Sequence, residues 1–91
     1  MLPKHRTPSH PGEVLLEEFL KPMKLTQLEL AFRIKVSVQR INTLIKGKRD
    51  MTPHTAILLS QELETSPEFW MNLQTAYDLF IEQEKIASHA A

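Results

Sequence analysis

Apolar residues recur along this chain with helical spacing and nowhere with the alternation of a strand, so an all-α fold is predicted. Leu15, Leu16, Phe19 and Leu20 share one face of a first helix that opens at Gly12 and that Pro22 is expected to stop. Thr26 is a natural N-cap for a second helix, Gln27 to Ile34, whose inner face is Leu30, Ala31 and Ile34. Val36 and Ser37 then make a short turn. Ser37 caps a third helix that runs to about Lys46 with Ile41 and Leu44 inward, and Gly47 is the residue best able to end it in a left-handed conformation. Thr52 with Pro53, and Ser66 with Pro67, repeat one signature, a capping hydroxyl followed by a first-turn proline. The first opens a fourth helix, to about Leu63, with Ala56, Leu59 and Leu63 inward; the second opens a fifth. There Phe69, Leu73, Ala76, Tyr77 and Phe80 fall at i, i+4, i+7, i+8 and i+11, with Trp70 and Ile81 beside them.

The 91 residues have room for one domain, and with no cysteine its stability must come from the packed core. Residues 1–11, with Pro3, Pro8 and Pro11 and no periodicity, read as an extended arm; residues 12–84 form the domain, with a helix-turn-helix at 26–46; residues 85–91 read as a polar tail. No charged-then-apolar leader and no run of about 18 apolar residues occurs, so a soluble cytoplasmic protein is expected.

Zero net charge conceals a division. Residues 1–50 carry ten Lys and Arg against five Asp and Glu, a balance of +5; residues 51–91 carry one against six, a balance of −5. Between Leu30 and Arg49 stand six cations, Arg33, Lys35, Arg40, Lys46, Lys48 and Arg49, and no carboxylate. Laid over two apolar rhythms joined by a short turn, with Ala31 small where the helices would cross, that is the footprint of a DNA-reading helix-turn-helix.

In such a motif the second helix enters the major groove with its N-terminal residues toward the base edges. Candidate base contacts are therefore Ser37, Val38, Gln39, Arg40, Asn42 and Thr43. Gln39 and Asn42 match adenine, Arg40 matches guanine or a phosphate, and Val38 or the Thr43 methyl matches thymine. Gln27, Lys46, Lys48 and Arg49 are placed for phosphates. The alternative for Gln39, Asn42 and Thr43 is an ordinary solvated helix surface, and for Arg40 a carboxylate partner. The aromatic stripe of the fifth helix reads first as core, yet Trp70, Met71, Phe80 and Ile81 extend it beyond one face, and a twofold homodimer interface through Trp70, Phe80 and Ile81 is expected.

Three stretches resemble a known group. TQLELAFRIKVSVQRINTLIKGKR, Thr26 to Arg49, is similar to the helix-turn-helix of the λ-repressor-like (Xre) class. HPGEVLLEEFLKPM, His10 to Met23, and TSPEFWMNLQTAYDL, Thr65 to Leu79, resemble the flanks of that motif in HigA-type (VapI-like) antitoxins. The resemblance implies a five-helix λ-repressor-like domain and the antitoxin of a type II toxin-antitoxin system, one that neutralises an mRNA-cleaving HigB-like toxin and represses its own promoter at a palindromic operator. Two residues depart from the pattern. Lys35 stands where the turn usually has Gly, and Phe32 is apolar where the family is commonly polar.

Other readings are a free-standing Xre-type repressor without a toxin and a helical protein-interaction adaptor. An adaptor would not require the Ala31, Ile34, Val36, Ile41, Leu44 pattern. Catalysis finds no foothold: His5, His10, His54 and His89 are dispersed, Glu17 and Glu18 are adjacent and so diverge by about 100° on a helix, and Gly12 and Gly47 cannot make a phosphate-cradling loop. No cofactor, metal site or membrane contact is expected.

Overall fold

The computed structural model describes residues 7–89. The part of the expected arm before Thr7, and the last two residues of the expected tail, lie outside it. Five helices follow in order, and no strand occurs among the described residues.

Helix α1 is continuous but not uniform: α-helical over Pro11–Val14, π-helical over Leu15–Leu20 and α-helical again over Lys21–Met23. Pro22 therefore does not stop it, contrary to expectation. In the π segment the Lys21 amide donates to Leu16 O, five residues back. Proline in a helix lacks an N–H and crowds the carbonyl four residues earlier; the wider turn just before Pro22 relieves both problems. Termination comes two residues later, at Lys24, in the left-handed region with φ 55°.

Helix α2 spans Gln27–Ile34 and α3 spans Val38–Ile45. The Thr26 hydroxyl accepts from the Glu29 amide while the Glu29 carboxylate accepts from the Thr26 amide, a reciprocal capping box that holds the Glu29 carboxyl below its usual pKa. Ser37 Oγ accepts from the Arg40 amide at 3.1 Å, and Gly47 ends α3 with φ 75°, both as the sequence predicts. Helix α4 covers Pro53–Leu63, capped by Thr52. Helix α5, Pro67–His89, is longer than expected. Residues 85–89 of the expected tail continue the helix, because Glu, Gln, Lys and Ala are strong helix formers and nothing between Glu82 and His89 breaks the turn.

Leu15, Leu30, Ile41, Leu44, Ala56, Leu59 and Trp70 are essentially inaccessible and form one core. Ala31 is buried where α2 meets the core, as its size suggests. Trp70 lies at the centre rather than on a surface: it is 0% exposed, its ring sits 5.2 Å from Phe19 and 4.9 Å from Phe69, and its indole N–H donates to Thr65 Oγ1 at 2.7 Å. It has no atom to offer a partner, which corrects its assignment to a dimer interface. The buried line of α5 runs through Trp70 and Gln74, with Leu73 and Tyr77 half-buried; Phe69 and Ala76, expected inside, are exposed. The helix is thus rotated by about one residue from the face that its aromatics suggest.

Candidate nucleic-acid interface

Two close approaches position α3. A Cβ on Gly12 would stand 1.8 Å from the carbonyl oxygen of Leu44, so α1 and α3 touch backbone to backbone and only glycine fits there. On the other side the Nδ2 of Asn42 donates to Oε1 of Gln27 at 3.2 Å, tying α3 to the first turn of α2.

The expected base-contact residues come together along one stretch of α3. Ser37 and Gln39 are exposed, Val38 is 43% exposed, and Arg40, Asn42 and Thr43 are half-buried. Their polar atoms are not equally free. Ser37 Oγ is committed to its cap, one Asn42 amide hydrogen to Gln27, and the Thr43 hydroxyl to the carbonyls of Gln39 and Arg40 at 2.9 and 3.2 Å. Thr43 Oγ1 in turn accepts from Arg49 Nε at 3.2 Å. What remains for a ligand is the Ser37 O–H, the whole Gln39 amide, the Arg40 guanidinium, the carbonyl oxygen and second amide hydrogen of Asn42, and the apolar parts of Val38 and Thr43. Gln27 keeps its NH2 group, the half of its amide that suits a phosphate.

The loop after α3 gathers the remaining cations. Lys46, Lys48 and Arg49 are exposed, and the Lys48 amide donates to Thr43 O at 2.9 Å, so the loop is folded against the helix that precedes it. Among the described residues, Lys35, Arg40, Lys46, Lys48 and Arg49 pair with no carboxylate. Arg33 differs. It bonds Glu62 on α4 at 3.2 Å and is better counted as a strut between helices. Lys35 adopts the left-handed conformation that favours glycine, with φ 61°. Phe32 is 84% exposed beside Leu28 at 67%.

Several residues that shape this surface escaped the sequence reading. Gln74, buried on α5, bonds the loop through Met51 and Asp50. Its signal was a polar residue four positions after Trp70 on an apolar face. His10, assigned to a loose arm, is buried: Nδ1 accepts from the Gly12 amide at 3.0 Å as the N-cap of α1, and the ring meets Tyr77 edge-on at 5.0 Å. Burial pushes its pKa below the ordinary 6.5 despite Asp50, Asp78 and Glu13 nearby. A Cβ added to Gly47 would stand 3.9 Å from this ring. Among the described residues no three His, Asp or Glu gather as metal ligands, and no helix is long and apolar enough to cross a membrane.

A helix-turn-helix family profile matches residues 16–70. Antitoxin HigA-1 of Vibrio cholerae is 41% identical over 82% of this chain and 70% of its own length. The chain belongs to the HigA-type branch of the helix-turn-helix family. Virulence-associated protein I of Dichelobacter nodosus is 46% identical over 84% of this chain and 71% of that relative. Among solved structures, Pseudomonas aeruginosa antitoxin HigA with the higBA promoter superposes with a TM-score of 0.81 at 36% identity, covering 92% of this chain and 95% of that one. The HigA-type branch is one of DNA-binding regulators and antitoxins rather than enzymes.

Proposed function

We propose that this protein is a homodimeric, cytoplasmic antitoxin that represses its own promoter by placing α3 in successive major grooves and that neutralises a HigB-like, mRNA-cleaving toxin. The observation that carries the DNA-binding part is the free Gln39 amide and Arg40 guanidinium on α3 beside a loop whose Lys46, Lys48 and Arg49 meet no carboxylate among the described residues. Base edges are read by the first set and phosphates are held by the second. Toxin neutralisation rests on kinship with the HigA antitoxins. The N-terminal half of the chain, with its excess of cations, faces DNA. The acidic half, with the surface of α5 around Phe80 and Ile81, joins the two subunits.

The test is binding to the palindromic segment of its own promoter across a salt series. About four to six phosphate contacts per subunit give a dimer a log–log slope of magnitude near 6 or more. Gln39→Ala should relax discrimination at one base pair per half-site by roughly 1–3 kcal/mol, while Lys48→Ala should weaken all sequences about equally and lower the slope. Binding that is weak, insensitive to salt and indifferent to sequence overturns the assignment. Rescue of growth on co-expression with the neighbouring toxin tests the other half.

A further inference from the structure

The least expected polar residue in the core is Gln74. It is 4% exposed, on the buried line of α5, one turn from Trp70, where an apolar residue would pack without any desolvation cost. Its amide is used almost completely. Oε1 accepts from the Met51 amide at 2.6 Å, and Nε2 donates to Asp78 Oδ1 at 2.9 Å and to Asp50 Oδ1 at 3.4 Å. Two of these three bonds reach the α3–α4 loop, immediately after Lys46, Lys48 and Arg49. The other side of the loop is fastened to α3 through Arg49 Nε and Thr43 Oγ1.

Asp50 is the one carboxylate between Leu30 and Met51, and it directly follows Arg49. A free carboxylate there would pair with Arg49 or Lys48, or would face the phosphates and repel them. Either outcome removes positive charge from the surface meant to hold the DNA backbone. The Gln74 NH2 group engages that carboxylate on the side of the loop turned toward α5. We infer that Gln74 is a positioning residue for DNA binding: it holds Asp50 away from the loop's cations and fixes the loop through Met51, so that Lys48 and Arg49 face phosphate. This rests on the proposal above that the loop binds DNA. It adds a residue that touches no DNA and stands on the helix assigned to the dimer.

The experiment is a double-mutant cycle between Gln74 and Asp50, read as the salt slope of binding to the promoter duplex and to a mixed-sequence duplex of the same length. Gln74→Glu keeps an acceptor for the Met51 amide but removes both donors and sets a carboxylate against Asp50 and Asp78. Its slope should fall in magnitude by about two per dimer, one phosphate contact per subunit, with affinity for both duplexes reduced alike. Preference between the operator and a variant changed at one α3-contacted base pair should stay as in the wild type. Asp50→Ala alone should change binding little, because that carboxylate is already engaged; combined with Gln74→Glu it should restore most of the lost slope. A merely structural Gln74 would lower the melting temperature and leave the slope and the cycle flat, and that result overturns the inference. Should Gln74→Glu fail to fold, Asp50→Ala decides alone: a marked gain in affinity and slope means that Asp50 was never held away, and the inference falls. If the wild-type protein binds neither duplex, the DNA-binding reading itself has failed.

Discussion

Asn42 on α3 donates an amide hydrogen to Gln27 on α2, 15 residues earlier, at 3.2 Å. A base-reading candidate and a phosphate-binding candidate are thereby one unit: the bond orients the Asn42 carbonyl oxygen outward and leaves the Gln27 NH2 group free. Asn42→Ala and Gln27→Ala should each weaken operator binding, and in a double-mutant cycle they should couple by about 0.5–1.5 kcal/mol, the net worth of one such hydrogen bond. Fluorescence anisotropy on the four proteins measures the coupling. Strict additivity would mean that the two amides act on DNA independently.

Three helices end on a residue other than glycine in the left-handed region: Lys24 at φ 55°, Lys35 at 61° and Glu64 at 56°. Each is followed by an amide that donates to a carbonyl five residues back, Leu25 to Leu20, Val36 to Ala31 and Thr65 to Ser60, so the conformation is demanded by the cap. Relief of the Cβ contact exceeds the chain-entropy cost of glycine at such a site. Glu64→Gly should therefore stabilise the fold by about 0.5–1 kcal/mol and raise Tm by roughly 4 °C, without altering DNA binding. Lys35→Gly should stabilise similarly. A thermal melt that shows no gain at either position would place the strain elsewhere.

How much of this was legible in the sequence depended on range. Thr26, Ser37, Thr52 and Ser66 cap the helices that they were expected to cap, because a cap is a contact over three residues. The inner faces of α2 and α3 were equally plain, since Leu30, Ala31, Ile34, Ile41 and Leu44 repeat at helical spacing and are all buried. Trp70 was misplaced because nine large apolar residues crowd one helix, and spacing alone does not say which of them meets Phe19 on α1. Gln74 and His10 were passed over because their partners, Met51 and Asp50 for one, Tyr77 and Gly47 for the other, are distant in sequence. The π segment before Pro22 likewise has no signature in composition.

At Gly12 the backbones of α1 and α3 leave no space for a side chain against Leu44 O. Gly12→Ala should force α1 and α3 apart and destabilise the fold by about 3 kcal/mol, at the upper end of overpacking costs. Because α3 is the element displaced, operator affinity should fall further than the unfolded fraction explains. Chemical denaturation and DNA binding on the same preparation separate the two effects; unchanged stability would contradict the contact.

His10 links acid to folding. Its Nδ1 must stay unprotonated to accept from the Gly12 amide, and its Nε2 is buried with no partner among the described residues. Asp50, Asp78 and Glu13 favour the charged form and burial opposes it more strongly, so the folded pKa lies below the ordinary 6.5; Lys46 and Tyr77 also line the surroundings. The unfolded chain then binds the proton more readily. Stability contributed by neutral His10 is complete above pH 7 and is lost as the pH falls through 6.5 toward the depressed value. His10→Asn, which supplies a capping oxygen without a titrating ring, should flatten that part of the stability–pH curve. Equal slopes for the two proteins between pH 7 and 5 would remove His10 as the cause.

With Trp70 in the core, the surface left for the proposed self-association is further along α5, where Phe80 and Ile81 are half-buried, Leu79 is 57% exposed and Ile86 is 62% exposed. Twenty-three residues make a helix of roughly 34 Å, long enough to run past the body of the domain and lie against its twofold mate. Phe80→Asp would place a charge in that contact and should shift sedimentation from dimer to monomer. Ile86→Asp does the same at a position too exposed to disturb the monomer's own fold. One half-site alone supplies only part of the affinity, and half-sites lie about one DNA turn apart, so both variants should lose operator binding although no DNA-facing residue has changed. An intact dimer with wild-type operator affinity in both would move the interface off α5, most plainly to the exposed Leu28 and Phe32 of α2.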